Sequence, residues 1–215
     1  MTSAGKIRAA LLFLLVLRPF AVLQAAPETQ PSAAWRVEPC DSFGPIQGKT
    51  SLAELIRLFG KDNVRETRIE GAEGETYPGA IVFPNDPLKK LKLIWKDDVK
   101  NAIAEASVEG EKSVWKTAQG VTLGTTLREL NALNGRAFTV SGFGWDYGGR
   151  VLSWNGGALA PPFPKAFGLQ LSPNPATPEG QKNAPAVTGD KALPSSLHAL
   201  QALEPRVVEM SCQFP

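Results

Sequence analysis

Apolar and polar positions along this chain follow two periods. From Ser51 to Gly60 (SLAELIRLFG), the leucines Leu52, Leu55 and Leu58 fall three apart, the spacing of one helical face. The pattern returns in TTLRELNALNG, where Thr125 to Gly135 aligns without a gap on Thr50 to Gly60 at an offset of 75 positions. Leu52 meets Leu127, Glu54 meets Glu129, Leu55 meets Leu130, Leu58 meets Leu133 and Gly60 meets Gly135. Ser51 with Glu54, and Thr126 with Glu129, have the S/T-x-x-E spacing of a capping box, which satisfies orphan N–H groups at a helix start. The glycines supply the residue with positive φ that closes each helix.

The second period is two. NVRETRIEG, YPGAIVFP, LKKLKLIWKD and AIAEASVEG follow the first helix and read as strands, with Leu91, Leu93 and Trp95 set against Lys90, Lys92 and Ile94. After the second helix, AFTVSGFGWDY and GRVLSWNGG predict a hairpin turning at Gly148-Gly149. Eight of the 18 prolines then fall between Pro161 and Pro194, which is loop chemistry, with only FGLQLSP (Phe167 to Pro173) reading as a strand. The chain closes on a short helix capped by Ser195 or Ser196 and a last strand from Arg206 to Phe214. The expected class is α+β: two tandem units, each one helix followed by about four antiparallel strands, with the helices on one face of the sheet. The expected divisions are 1–26 (leader), 27–47 (linker, with Trp35 and Cys40 as tie-down points), 48–120 (first unit) and 121–215 (second unit, with a Pro-rich insertion at 156–194).

The leader reading rests on Lys6 and Arg8, the apolar run from Ala9 to Leu17 and the small residues ending in Ala25-Ala26, the pattern of a secretory signal peptide cut near Ala25 or Ala26. The run is too short to span a bilayer, so no stable membrane insertion is expected after signal removal. The full chain has 23 basic and 21 acidic residues, and losing Lys6, Arg8 and Arg18 leaves 20 against 21. That balance gives no electrostatic footprint for nucleic acid. Export to the periplasm or beyond places the two cysteines, Cys40 and Cys212, in an oxidising compartment, where an even count suits a disulfide.

The G-x-T-S-x-x-x-L-x-x-x-x-G pattern, carried by Gly48, Thr50, Leu55 and Gly60 and again by Gly124, Thr125, Leu130 and Gly135, resembles the tandem-repeat architecture of the β-lactamase inhibitor protein (BLIP-like). It is also similar to the single-repeat SmpA/OmlA (BamE-like) outer-membrane assembly lipoproteins. The resemblance covers residues 46–156. It implies an antiparallel sheet with helices on one face and the other face free to grip a partner. The lipid-bearing cysteine of the lipoproteins is missing, and no inhibitor contact residue carries over.

Catalytic motifs are absent: there is no GxSxG, HExxH or P-loop, and the one histidine, His198, lies in SSLHALQAL as a helix residue near the surface. GFGWDYGG has the wrong glycine spacing for a dinucleotide loop. No metal or cofactor is implied. Trp95, Trp115 and Trp154 read as core. If the hairpin strand continues through GFGWDY, Phe143, Trp145 and Tyr147 share one face beside Val151 of the next strand. They then either stand open as partner-binding anchors or lie beneath the Pro-rich segment. The expected function is a non-enzymatic exported binding protein that recognises a protein or envelope component through its sheet. The alternatives are a BLIP-type enzyme inhibitor and a carboxylate-based glycan hydrolase.

Overall fold

The computed structural model describes Met1 and residues 33–71, 74–174 and 178–215; the leader reading lies outside these residues. Residues 33–47 are no simple linker. After a 3-10 turn they form β1 (Arg36–Glu38), β2 (Ser42–Phe43) and β3 (Ile46–Gln47), with Trp35 packed edge-on against Trp115 at 5.1 Å. The first helix, α1 (Leu52–Phe59), starts where the Ser51 hydroxyl accepts from the Glu54 amide and ends at Gly60, whose φ of 83° favours glycine.

Four strands follow as the alternation predicts: β4 (Val64–Glu70), β5 (Thr76–Val82), β6 (Leu91–Trp95) and β7 (Ile103–Glu109). The short β8 (Lys116–Thr117) lies parallel to β1 and completes a four-stranded sheet, β3-β2-β1-β8. Next comes α2 (Leu127–Asn134), which carries the complete capping box and the left-handed Gly135.

Beyond α2 come β9 (Thr139–Ser141), β10 (Val151–Ser153) and β11 (Phe167–Ser172). The Pro-rich stretch that reads as loop also contains a helix, α3 (Pro178–Val187), and a strand, β12 (Ala192–Pro194). Pro178 sits at the first helical position, where its missing N–H costs nothing, and Pro185 falls in the last turn. The chain ends with α4 (His198–Ala202) and β13 (Arg206–Gln213). Ser195 does not cap α4. It is buried, accepts from the Phe138 amide at 2.9 Å and donates to Asn131 Oδ1 at 2.6 Å.

The main sheet has six antiparallel strands in the order β11-β13-β7-β6-β5-β4. A single bridge, Arg150 to Gln170, links its β11 edge to the small sheet β10-β9-β12. Outward from the central β7–β13 pair, one side therefore runs β7, β6, β5, β4 and the other β13, β11, β10, β9, with β12 added at the far edge. The row Ala80, Leu93, Ala106, Cys212 and Phe167 joins one hydrophobic core with Leu55 of α1 and Leu130 of α2. The fold is α+β, with α1 contributing Leu55 and α2 contributing Leu127 and Leu130 to the core that this row joins. The sulfurs of Cys40 and Cys212 lie at disulfide distance, with Cα atoms 5.2 Å apart across 172 residues. The pair pins the β1–β2 turn to the central strand β13.

Candidate functional site

Alternation sends the other row of each strand to the opposite face. Across the central strands this row reads Gly79, Ile94, Glu105, Gln213 and then Ile81, Lys92, Ser107, Ser211, Gly168. A third line pairs Glu109 with Glu209 and Glu209 with Gln170. Small side chains form the floor: a Cβ on Gly168 would come within 2.7 Å of Ser211 Oγ. Lys92 bonds Glu109 at 2.5 Å, and Arg150 lies 3.7 Å from Glu209.

The Glu105 carboxyl is pushed above its ordinary value, first by burial and then by the Glu209 carboxylate, while Arg150 opposes the rise. Glu105 and Glu209 thus sense each other across the Ser107–Ser211 floor. On the other flank, a hydrogen bond to Glu75 raises the Tyr77 phenol, and Tyr147 adds a smaller push.

The loop from Gly142 to Gly149 decides where the expected anchors go. Strand β9 stops at Ser141: its last ladder bond to β12 runs from the Gly142 amide to Lys191 O, Phe143 makes only an isolated bridge to Thr188, and Gly144 takes φ of 84°. Alternation therefore ends before the aromatics and does not put them in one row. Phe143 is only 7% exposed; its amide donates to Val187 O and its carbonyl accepts from Gly189, so the end of α3 covers it. Val151 is half-buried against the core. Trp145 and Tyr147 point outward, 38% and 44% exposed, with ring centroids 5.6 Å apart in an edge-on pair. Trp145 Nε1 donates to Gly142 O at 2.9 Å, and the Arg150 guanidinium sits 5.8 Å from the Tyr147 ring. Of the four candidate contact residues, the structure presents two and folds the other two inward.

Beside Trp145 lies an open cleft of about 450 Å³, with Glu109, Glu209, Gln170 and Ser172 in its walls. An apolar groove of about 590 Å³ lies between Trp35, Phe59 and Phe83. Trp95, Trp115 and Trp154 are buried, and His198 is exposed at the start of α4. Among the described residues, no three His, Cys, Asp or Glu side chains converge as a metal site, and no helix is long and apolar enough to cross a membrane. Sequence reasoning missed Tyr77, Arg150 and the grouping of Glu105, Glu109 and Glu209. Alternation marks Glu105 and Glu109 as one face, but nothing local reveals that β13 pairs beside β7.

No protein-family model matches this chain, and neither a curated protein nor a solved structure shows significant likeness to it.

Proposed function

We propose that this is an exported, non-enzymatic binding protein that grips a protein or envelope component on the open face of its six-stranded sheet. The observation that carries this reading is the outward Trp145–Tyr147 pair, with Trp145 in the wall of an open cleft that Glu109, Glu209 and Gln170 of the sheet also line. Exposed Trp and Tyr bury much area for few torsions, which suits interface anchors. A disulfide-distance cysteine pair is compatible with an oxidising compartment.

The same reading takes the chain as two copies of one unit. Its support is the mirrored strand order about β7 and β13, together with hydrogen bonds that recur at the offset of 75. This also accords with the resemblance to the tandem-repeat inhibitor, from which the narrower reading of an enzyme inhibitor follows.

The test is capture from an envelope extract of the producing cell, using the mature protein and its Trp145→Ala variant. A partner retained by the first and lost by the second supports the reading; equal capture by both refutes it. One observation favours a carboxylate-based hydrolase instead: Glu105, raised by burial, shares a sheet face with Glu109 and Glu209. Glycan turnover abolished by Glu105→Gln would establish that activity.

A further inference from the structure

We propose that the β4 edge of the six-stranded sheet pairs with the same edge of a second copy of this chain, joining two sheets into one. The two edges of the main sheet are built differently. At β11 the Leu171 amide donates to Gly149 O and Gln170 bridges Arg150, so its outer side is occupied. At β4 no strand of the described residues pairs on the outer side. The strand is seven residues long, contains no proline and keeps one unbroken register with β5. Such an edge is a template for another strand.

The ladder fixes which backbone groups are on offer. The Gly71 amide donates to Glu75 O and the Phe83 amide to Asn63 O, extending the β4–β5 register at either end. Hydrogen-bonded pairs alternate in an antiparallel ladder, so Arg65, Thr67 and Ile69 bond to β5. Glu66, Arg68 and Glu70 turn amide and carbonyl outward. Of these groups, only Arg68 O has a partner among the described residues, the neighbouring Thr67 hydroxyl at 3.3 Å.

Charge selects the occupant. Four of the seven residues are charged, which turns most strands away. Antiparallel pairing about Thr67 sets Glu66 of each copy against Arg68 of the other. A shift of two residues one way sets Glu66 against Glu66; the other way, it sets Arg68 against Arg68 and Glu66 against Glu70. A shift of one pairs outward groups with inward ones. Glu66 already meets Lys100, but Arg65, Arg68 and Glu70 have no ion-pair partner among the described residues; Arg68 donates to Thr76 through Nε and Nη2. Thr67 then faces Thr67 in a non-hydrogen-bonded pair, with Cα atoms about 4.5 Å apart. The two-fold axis stands perpendicular to the sheet, so both Trp145 clefts open on one side of the dimer, whatever they bind.

Sedimentation velocity of the mature protein over a rising concentration series should show a monomer–dimer equilibrium. Glu66→Arg and Arg68→Glu each set like charges opposite one another and should each weaken association by about tenfold or more. Mixing the two variants should restore it, because each offers the charge that the other lacks. On oxidation Thr67→Cys should form an intermolecular disulfide, while Arg65→Cys, set opposite Ile69 of the copy, should not. All four positions are exposed, so each variant should keep the parent circular-dichroism spectrum. A monomer at every concentration, a dimer that both charge variants keep, a mixture that stays monomeric, or equal crosslinking at positions 65 and 67 would each overturn the proposal. An extract partner lost with Glu66→Arg from a protein that is itself monomeric would assign the edge to a foreign strand and equally overturn the second copy.

Discussion

Thr50 and Thr125 make the same two hydrogen bonds. Each hydroxyl accepts from the amide of the residue three positions earlier, at 2.9 Å from Gln47 and 3.0 Å from Thr122, and each amide donates to that same residue's carbonyl. The threonine therefore closes a tight turn just before each helix and sets the direction in which the helix leaves. Five residues on, Leu55 and Leu130 are both fully buried; three further, Leu58 and Leu133 are both partly exposed.

Equal burial at equivalent positions predicts equal cost. Leu55→Ala and Leu130→Ala should each lower unfolding free energy by about 2–5 kcal/mol in urea titrations. A large loss at one and a negligible loss at the other would show that the two helices do different structural work.

The helix ends are not equivalent. At α2 the Thr126 hydroxyl accepts from the Glu129 amide, and Glu129 accepts from the Thr126 amide at 2.7 Å, an interaction that lowers the Glu129 pKa. Thr126→Ala should cost about 1 kcal/mol. Asn134, buried at the other end, donates to the Arg136 and Trp154 carbonyls and accepts from the Leu159 amide. Asn134→Ala orphans three backbone groups and should cost more, about 3 kcal/mol or above. Chemical denaturation of both variants checks the ranking.

Linking Cys40 to Cys212 closes nearly the whole described chain into one loop. Alkylation without reductant should modify neither cysteine, and mass spectrometry reads this directly. Reduction should lower the unfolding free energy by up to about 5 kcal/mol in the chain-entropy picture. Both thiols alkylating without reductant would refute the bond.

Glu105 gives a signed pH dependence. Its folded pKa is raised, so the fold favours the neutral acid, and that contribution is fully present below the ordinary carboxylate range. It disappears as pH rises from that range through the raised folded value. Glu105→Gln, which keeps the neutral shape, should therefore gain stability relative to the parent over that window and hold the gain at higher pH. Thermal melts across mildly acidic to neutral pH test this, and a gain that shrinks as pH rises would contradict it.

Much of the fold was legible because it rests on local periods. The two helices and β4 to β7 follow from leucines three apart and from strict alternation, and the burial of Leu91, Leu93 and Trp95 against half-buried Lys92 and Ile94 matches. The site was less legible because it depends on where alternation stops. The chain leaves β9 after Ser141 and turns at Gly144, with Phe143 in the core and Trp145 and Tyr147 outside. The helix at Pro178 was hidden by proline density, since composition does not distinguish a proline at a helix start from one in a loop. The meeting of Glu109 with Glu209 depends on a strand pairing across a hundred residues of chain, which no local pattern encodes.

Phe143 and Trp145 separate stability from binding within a single loop. Phe143 is packed beneath the end of α3, so Phe143→Ala should cost about 3–5 kcal/mol of stability. Trp145 is 38% exposed, with an edge contact to Tyr147 and one hydrogen bond to Gly142 O, so Trp145→Ala should cost much less than Phe143→Ala, about 1 kcal/mol. As an interface anchor, however, the same substitution should weaken a captured complex by more than about 1 kcal/mol. Denaturation curves and binding titrations on both variants read the two effects independently. A large stability loss with Trp145→Ala would make the indole part of the core, and unchanged affinity in a stable Trp145→Ala protein would remove it from the interface.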